Sequence, residues 1–265
     1  MRMPEAEMDV TPSLVTELIR QQLAAELIIK EQQWLSELAG RLPVAIPVAV
    51  RVGRPTEEYP WFWSIGPWFD GDALTEIPVP DRAGVAVELA AFFAALHRPA
   101  PADAPNNPVR GIPLSVRATL VADHLDLLAA PPWMRTLWAD LVDTPELTGP
   151  PQWLHGDPHP ANVLTKDGQL SAVIDFGDLC AGDPATDLAV AWLAFDAEGR
   201  RQFHDHYSAL TDTDDRADDR ADDNLWRRAR GWALSLGMSL LANSDDNPGL
   251  AAVGRHALEQ VRLDR

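Results

Sequence analysis

Two short acidic segments stand out because their side chains could work together as a base and metal ligands. The first, HGDPHPANVL, covers residues 155–164 and contains a carboxylate at Asp157 and an amide at Asn162. The second, IDFGD, covers residues 174–178 and contains Asp175. Two prolines interrupt the first segment, so it is neither regular helix nor regular strand, and they stiffen it as a loop.

These residue types suit the transfer of a phosphoryl group. A carboxylate beside a hydroxyl can take its proton as the hydroxyl oxygen attacks phosphorus. An amide oxygen and a second carboxylate are hard ligands for Mg²⁺, which bridges nucleotide phosphates. An isolated Asp–Asn pair occurs by chance in many loops, but the pair combined with IDFGD at this distance is much more specific. The pattern predicts Asp157 as a base, with Asn162 and Asp175 as Mg²⁺ ligands.

A zinc site is a competing interpretation of the first segment. His155, Asp157 and His159 alternate along the chain, and such side chains converge on a metal ion only where the backbone is extended. The intervening prolines do not exclude an extended backbone. A zinc site would leave Asn162 and the second acidic segment unexplained, so we favour the magnesium interpretation.

Hydrophobic periodicity indicates the elements that position these segments. Residues 12–39 have apolar side chains at helical spacing and predict one long helix. Residues 46–53 and 60–69 predict two strands joined by a turn. More helix is predicted over residues 82–98 and 115–141, and again throughout the chain after the second acidic segment. The pattern predicts an α+β fold, in which a small part with a short sheet precedes a larger helical part.

Three longer segments together resemble the aminoglycoside phosphotransferase family, a branch of the protein-kinase-like fold. They are PWFWSIGPWFDGDAL, LHGDPHPANVL and VIDFGDLCAGDPATDLA, and the resemblance covers most of the chain from about Glu31 onward. It implies a truncated N-terminal lobe with a short antiparallel sheet over residues 1–75, ending in a hinge. It also implies a mainly helical C-terminal lobe over residues 76–265, with the catalytic loop and the acceptor site.

The resemblance implies roles for individual residues. Asp157 would be the catalytic base, and His155 would support the catalytic loop. Asn162 and Asp175 would bind Mg²⁺.

Further residues are implied to support the site or to bind nucleotide. Asp187 would lie at a helix start and hold the catalytic loop through hydrogen bonds, while Asp178 and Asp183 would be supporting residues. The hinge that meets the purine base of ATP or GTP would consist of Trp63, Ser64 and Ile65.

One half of such a site is missing from the sequence. Kinase-like enzymes cover the phosphates with a glycine-bearing strand–loop–strand and pair a strand lysine with a helix glutamate. Residues 1–39 contain no glycine, and the predicted helix runs directly into KEQQWL, which resembles the glutamate-bearing helix. Lys30 ends the apolar run ELIIK and is an alternative candidate for the strand lysine; otherwise it is a solvated helix residue.

Composition limits the partners. The chain has 265 residues and a formal net charge of −18, which argues against nucleic acid and is compatible with a polycationic acceptor or simply with a well-solvated surface. One cysteine excludes an internal disulfide. We see no signal peptide and no apolar run long enough to span a membrane, and therefore expect a cytoplasmic protein.

Together these features predict a phosphotransferase that moves the terminal phosphoryl group of ATP or GTP to a hydroxyl of a small molecule, with Mg²⁺ as cofactor. An aminoglycoside or a related antibiotic is the acceptor that the resemblance suggests. Because the glycine loop and the strand lysine are missing, the alternative is a catalytically degenerate member that acts as a binding or regulatory protein. The oligomeric state is left open, with a homodimer among the alternatives.

Overall fold

The N-terminal elements are a helix and a two-stranded sheet. The computed structural model describes residues 27–211, 219–244 and 246–264. Helix α1 covers residues 27–39 and precedes strands β1 (Arg51–Gly53) and β2 (Trp63–Ile65). The two strands pair antiparallel. The predicted short antiparallel sheet is confirmed, in strands shorter than the predicted ones.

The rest of the chain is mainly helical, as predicted. Its strands are β3 (Asp72–Ala73), β4 (Gln152–Leu154), β5 (Val163–Lys166), β6 (Gln169–Val173) and β7 (Cys180–Gly182). Its helices are α2 (Ala83–Leu96), α3 (Ala118–Leu127), α4 (Pro132–Val142), α5 (Ala185–Leu188), α6 (Val190–Ala194), α7 (Ala197–Thr211), α8 (Asp219–Ala242) and α9 (Pro248–Leu263). Within the described ranges, no helix has both the length and the apolar character needed to cross a membrane.

Two small antiparallel sheets carry the acidic segments. Strands β3, β5 and β6 form one sheet in that order, and β4 pairs with β7 in the other. Asp167 and Gly168 both have positive φ and close the β5–β6 hairpin, which is the geometry of a two-residue hairpin turn. The chain therefore leaves β4, forms the first acidic segment, and returns through β6 into the second.

The helical core surrounds these sheets. Helix α2 packs on α7, and α8 packs on both α5 and α9. The helical stretch predicted over residues 115–141 is broken into α3 and α4. Ala129 adopts a left-handed φ of 46° between them, and Pro132 occupies the first position of α4, where a proline is tolerated because that N–H has no helical partner.

The first helix decides between the two interpretations of Lys30. Residues 27–39 are helical, so the alternative in which Lys30 ends a strand is wrong. The run ELIIKEQQ is rich in good helix formers and contains no glycine or proline that would end a helix. Residues 12–26 of the predicted helix lie outside the described residues.

A buried ion pair ties α8 to the loop after β7. Arg228 donates from Nε to Oδ2 of Asp183 at 2.6 Å and from a terminal nitrogen to Oδ1 at 3.2 Å. Both side chains are almost completely buried. Asp183 also accepts a hydrogen bond from the backbone N–H of Ala185 at the start of α5. The pair thus fixes the start of the helix that carries Asp187.

Removing one partner of this pair should be strongly destabilising. Arg228→Met leaves the Asp183 carboxylate buried without its counter-charge, so we expect the free energy of unfolding to fall by about 3–5 kcal/mol. The neighbouring Arg227–Asp140 pair is exposed, with an N–O distance of 3.0 Å, and provides the control. Arg227→Met should change the free energy by less than about 1 kcal/mol. Urea unfolding measures both, and equal losses would contradict the expectation.

Candidate active site

The first acidic segment forms the loop between β4 and β5. Asn162 donates from its side-chain amide to the backbone oxygen of Asp157 at 3.0 Å and approaches the Asp157 carboxylate at 3.5 Å. A short 3₁₀ turn over Pro160–Asn162 produces this approach, and the backbone N–H of Asn162 donates to the carbonyl of His159. The spacing of five residues therefore brings Asp157 and Asn162 into contact.

The buried carboxylate of Asp187 holds this loop through two backbone N–H groups. Its Oδ2 accepts the backbone N–H of His155 at 2.7 Å, and its Oδ1 accepts the N–H of Gly156 at 2.9 Å. These two amides directly precede Asp157. Because charge-assisted hydrogen bonds are strong when desolvated, they set the position of the Asp157 backbone.

His97 is a further member of this network that sequence reasoning missed. At the C-terminal end of α2, its Nε2 lies 3.2 Å from Oδ2 of Asp187 and its Nδ1 lies 2.8 Å from the hydroxyl of Tyr207. From the sequence, His97 is expected only to end an apolar helix, and no pattern indicates its contact with Asp187. The buried pairing with Asp187 connects two core helices to the loop.

His155 supports the loop from inside and cannot bind a metal. Its Nε2 donates to the carbonyl of Ile174 at 2.9 Å, and its Nδ1 accepts the N–H of Asp157 at 3.2 Å. The ring is fully buried against Phe176. Since both ring nitrogens are occupied, the zinc interpretation is wrong. Across the described residues, no group of three or more His, Cys, Asp or Glu side chains could hold a metal ion.

Asp175 lies at the same end of the β5–β6 hairpin as Asn162. The N–H of Ile174 donates to the carbonyl of Asn162 at 2.9 Å, which places Asp175 one residue beyond this cross-strand contact. Its φ of 63° is left-handed, a conformation that costs energy for a residue with a Cβ and is common at functional sites. Asp175 is exposed, and its carboxylate accepts no hydrogen bond from the described residues.

The oxygen donors at this edge fit a magnesium ion. The amide nitrogen of Asn162 donates to Asp157, and this contact leaves its amide oxygen as a ligand. The carboxylate of Asp175 provides a second hard oxygen. Oxygen ligands of this kind, together with substrate phosphates and water, are what Mg²⁺ takes in nucleotide sites.

The charge on Asp157 is stabilised by its surroundings. Burial alone would raise the pKa of Asp157, but the hydrogen bond from His159 and the charges of His159, Arg110 and His155 outweigh burial and lower it to about 2. His159 Nε2 lies 3.3 Å from Oδ2, and a terminal nitrogen of Arg110 lies 3.6 Å from Oδ1. Asp157 is therefore a carboxylate at neutral pH. No local sequence pattern marks His159 as the partner of Asp157, and none marks Arg110.

Helix α1 places Glu31 near Asp175 and the backbone of Phe176. Burial, and next the charge of Asp175, raise the pKa of Glu31, while a hydrogen bond from the backbone N–H of Phe176 opposes the rise. Sequence reasoning assigned no role to Glu31, although it recognised KEQQWL as similar to a glutamate-bearing helix. Of the two lysines of the chain, Lys30 lies on α1 itself and Lys166 ends β5 beside Asp70, so no lysine on a described N-terminal strand stands beside Glu31.

The three hinge candidates lie on β2. The carbonyl of Trp63 and the hydroxyl of Ser64 accept hydrogen bonds from the side chain of Gln32 at 2.9 and 3.0 Å. The carbonyl of Ile65 accepts the N–H of Val50 at 2.7 Å. These bonds fasten β2 to α1 and to the segment before β1. Contact of β2 with a purine stays a prediction.

Comparison with known proteins identifies the family. The model of the phosphotransferase enzyme family matches residues 9–232, a span that includes both acidic segments and Asp187. The chain belongs to this family. None of the curated proteins with which the sequence was compared matches it significantly.

Solved phosphotransferase structures share the fold. The GDP and kanamycin complex of APH(2")-IIia is 22% identical with a TM-score of 0.58, and the match covers 92% of this chain and 84% of that one. The ADP and hygromycin B complex of an APH(4)-Ia mutant is 20% identical with a TM-score of 0.53, over 89% and 82% of the two chains. The gentamicin complex of APH(2")-IIa is 18% identical with a TM-score of 0.52, over 89% and 81%. The predicted α+β, protein-kinase-like fold is confirmed.

Gly156 should tolerate no side chain. Its φ is +88°, and a Cβ there would lie 2.3 Å from the carbonyl oxygen of Asp178. Gly168 also has positive φ, at +78°, but a Cβ there would meet no atom within 4 Å. Gly168→Ala should therefore carry only the left-handed backbone strain of about 1 kcal/mol. Gly156→Ala should add a packing penalty of about 1–3 kcal/mol, measurable by urea unfolding. Equal destabilisation would show that the loop between β4 and β5 is free to move away from Asp178.

Proposed function

We propose that this family member transfers the terminal phosphoryl group of ATP or GTP to a hydroxyl of a small molecule, with Asp157 as the base. The observation that carries the proposal is the contact between Asp157 and Asn162 on a loop held by Asp187. A base and a metal ligand kept in this relation support phosphoryl transfer, because catalysis of that reaction is mainly positioning and charge stabilisation.

In the proposed reaction, the acceptor hydroxyl donates a hydrogen bond to the Asp157 carboxylate. The acceptor oxygen forms a bond to the terminal phosphorus, the bond to the leaving nucleoside diphosphate breaks, and the acceptor proton passes to Asp157. A carboxylate with a pKa of about 2 is a weak base. Such low basicity is compatible with a loose transition state, in which the carboxylate chiefly orients the acceptor hydroxyl.

Magnesium is the proposed cofactor, held by the amide oxygen of Asn162 and the carboxylate of Asp175. When bound, it would neutralise charge on the phosphates. Asp178 and Asp183 are proposed as supporting residues, because one flanks the catalytic loop and the other anchors the start of α5. Trp63, Ser64 and Ile65 are proposed to face the purine from an N-terminal lobe over residues 1–75.

An aminoglycoside or a related hydroxylated antibiotic is the proposed acceptor class. Structural neighbours are complexes with kanamycin, gentamicin and hygromycin B. The net charge of −18 favours the approach of a polycationic acceptor over that of an anionic one.

A binding or regulatory protein without catalysis is the second candidate. It is favoured by one observation: the described residues contain no glycine-bearing strand–loop–strand before β1. Such a cradle positions the phosphates and neutralises their charge, and its loss weakens both effects. Nucleotide binding and turnover, measured together, separate the two candidates.

Replacing the base should abolish turnover but not nucleotide binding. Asp157→Asn removes the proton acceptor, so we expect kcat for transfer from labelled ATP or GTP to kanamycin, gentamicin or hygromycin B to fall by at least about 100-fold. Nucleotide affinity, measured by calorimetry, should stay unchanged. Asp167→Asn in the exposed hairpin turn makes the same chemical change away from the site and should keep full turnover. Undiminished turnover in Asp157→Asn would refute the base assignment.

Removing the proposed metal ligand should weaken nucleotide binding only when magnesium is present. With Mg²⁺, Asp175→Asn should bind ATP or GTP about 10-fold or more weakly than the wild type, because one charged ligand is lost. With EDTA in place of Mg²⁺, the two proteins should bind equally weakly. A wild type that binds neither nucleotide at millimolar concentration would instead favour the binding or regulatory protein.

A further inference from the structure

The guanidinium of Arg110 lies between two carboxylates of the candidate site. One terminal nitrogen is 3.6 Å from Oδ1 of Asp157, and Nε is 3.4 Å from Oδ2 of Asp178. Both distances exceed those of charge-assisted hydrogen bonds, which are about 2.7–2.9 Å. Nε is buried and has no hydrogen-bond partner among the described residues. Nε is enclosed beside Asp178, whereas the terminal nitrogen beside Asp157 makes no short hydrogen bond and keeps its donors for a ligand at that carboxylate.

The loop that carries Arg110 is fastened on both sides. The N–H of Gly111 donates to the hydroxyl of Thr186 at 3.1 Å, and its carbonyl accepts the N–H of Asp183 at 3.0 Å. Gly111 has a φ of +65°, and a Cβ there would lie 3.0 Å from the backbone Cα of Gly182, so glycine is strongly favoured at this position. The hydrogen bonds of Gly111 therefore fix the backbone position of the neighbouring Arg110.

Asp178 is oriented toward Arg110 by a separate contact. Its Oδ1 accepts the side-chain amide of Asn107 at 3.0 Å, and the amide oxygen of Asn107 accepts the N–H of Val109 at 2.9 Å. This arrangement leaves Oδ2 of Asp178 on the side of Arg110. Asp178 therefore limits the directions in which the guanidinium can move, and the terminal nitrogen of Arg110 points toward the Asp157 carboxylate.

The proposed site needs a cation near the transferring group. Neither of the two lysines of the chain pairs with Asp157, whose ion-pair partners among the described residues are Arg110 and His159. Lys166 ends β5 with its ammonium 3.6 Å from Asp70. A phosphorus atom attacked by a hydroxyl on Asp157 must lie within a few ångströms of that carboxylate, and hence within reach of Arg110. The planar fork of a guanidinium matches phosphate oxygens with two parallel donors.

We propose that Arg110 binds the non-bridging oxygens of the transferring phosphoryl group and stabilises their charge in the transition state. The inference rests on the proposed phosphotransferase function. Arg110 exchanges no proton: the acceptor oxygen bonds to phosphorus, the bond to the diphosphate breaks, and Asp157 takes the acceptor proton. Arg110 thus supplies at the terminal phosphate part of the positive charge that the reduced N-terminal part does not provide.

Hydrolysis of ATP or GTP, with water as the acceptor, gives the kinetic test. Arg110→Met keeps the length of the side chain but removes its charge and donors, so kcat should fall by about 100-fold or more with little change in KM. Arg110→Lys keeps a positive charge, as a compact ammonium group without the planar fork, and should therefore recover part of the lost kcat. The control is Arg135→Met, because Arg135 is a half-exposed residue paired with Asp126 between α3 and α4. It should behave as the wild type.

A calorimetric test separates a catalytic contact from a structural one and needs no turnover. Aluminium fluoride added with ADP and Mg²⁺ mimics the transferring group. Arg110→Met should bind ADP as tightly as the wild type but should lose the additional affinity that fluoride confers. Thermal melting of each variant shows whether it is folded.

The outcomes distinguish the two proposals. A wild type that neither binds nor hydrolyses nucleotide would overturn both. An active wild type with an equally active Arg110→Met would overturn the role of Arg110 alone. If Arg110→Met lost as much affinity for ADP alone as for ADP with aluminium fluoride, the role of Arg110 would be merely structural. A wild type that binds ADP without hydrolysing nucleotide or responding to fluoride would also overturn the inference.

Discussion

The site depends on one buried carboxylate. A buried charge is costly unless it is paired or hydrogen-bonded, and Asp187 meets this condition with the N–H groups of His155 and Gly156 and the ring of His97. These bonds hold the two residues before Asp157, so the position of Asp157 depends on α5. Through His97 and the hydroxyl of Tyr207, the same carboxylate connects the loop between β4 and β5 to α2 and α7.

The contacts within the loop give each side chain a different role. The amide hydrogens of Asn162 face Asp157, and its amide oxygen is left for a cation. Both ring nitrogens of His155 are bonded to the backbone, so it serves as a support. Oδ2 of Asp157 faces His159 and Oδ1 faces Arg110. This division keeps the carboxylate ionised and explains why histidines surround it without forming a metal site.

The N-terminal elements α1, β1 and β2 pack against the C-terminal core, because a two-stranded sheet provides little stability by itself. Trp34 of α1 packs edge-on against Trp153 of β4, with ring centroids 4.9 Å apart. Gln32 fastens α1 to β2, and Glu31 reaches the backbone of Phe176 beside Asp175. In two-stranded form β1 and β2 could not be stable alone, since isolated pairs of strands are marginal in water. Packing of α1 on the core therefore orders this part of the site.

The sequence by itself determined the fold class and the helical C-terminal part, and it singled out Asp157 and Asn162 as residues of one loop, because periodicity and short spacings are local properties. It also indicated that Lys30 continues a helix, since nothing between ELIIK and EQQWL breaks one. Only the tertiary structure decided how residues far apart in the chain meet. Arg110 reaches Asp157 from a proline-rich loop, and His97 reaches Asp187 across 90 residues. No local pattern marks either contact, because each arises where separate elements pack around the same buried charges.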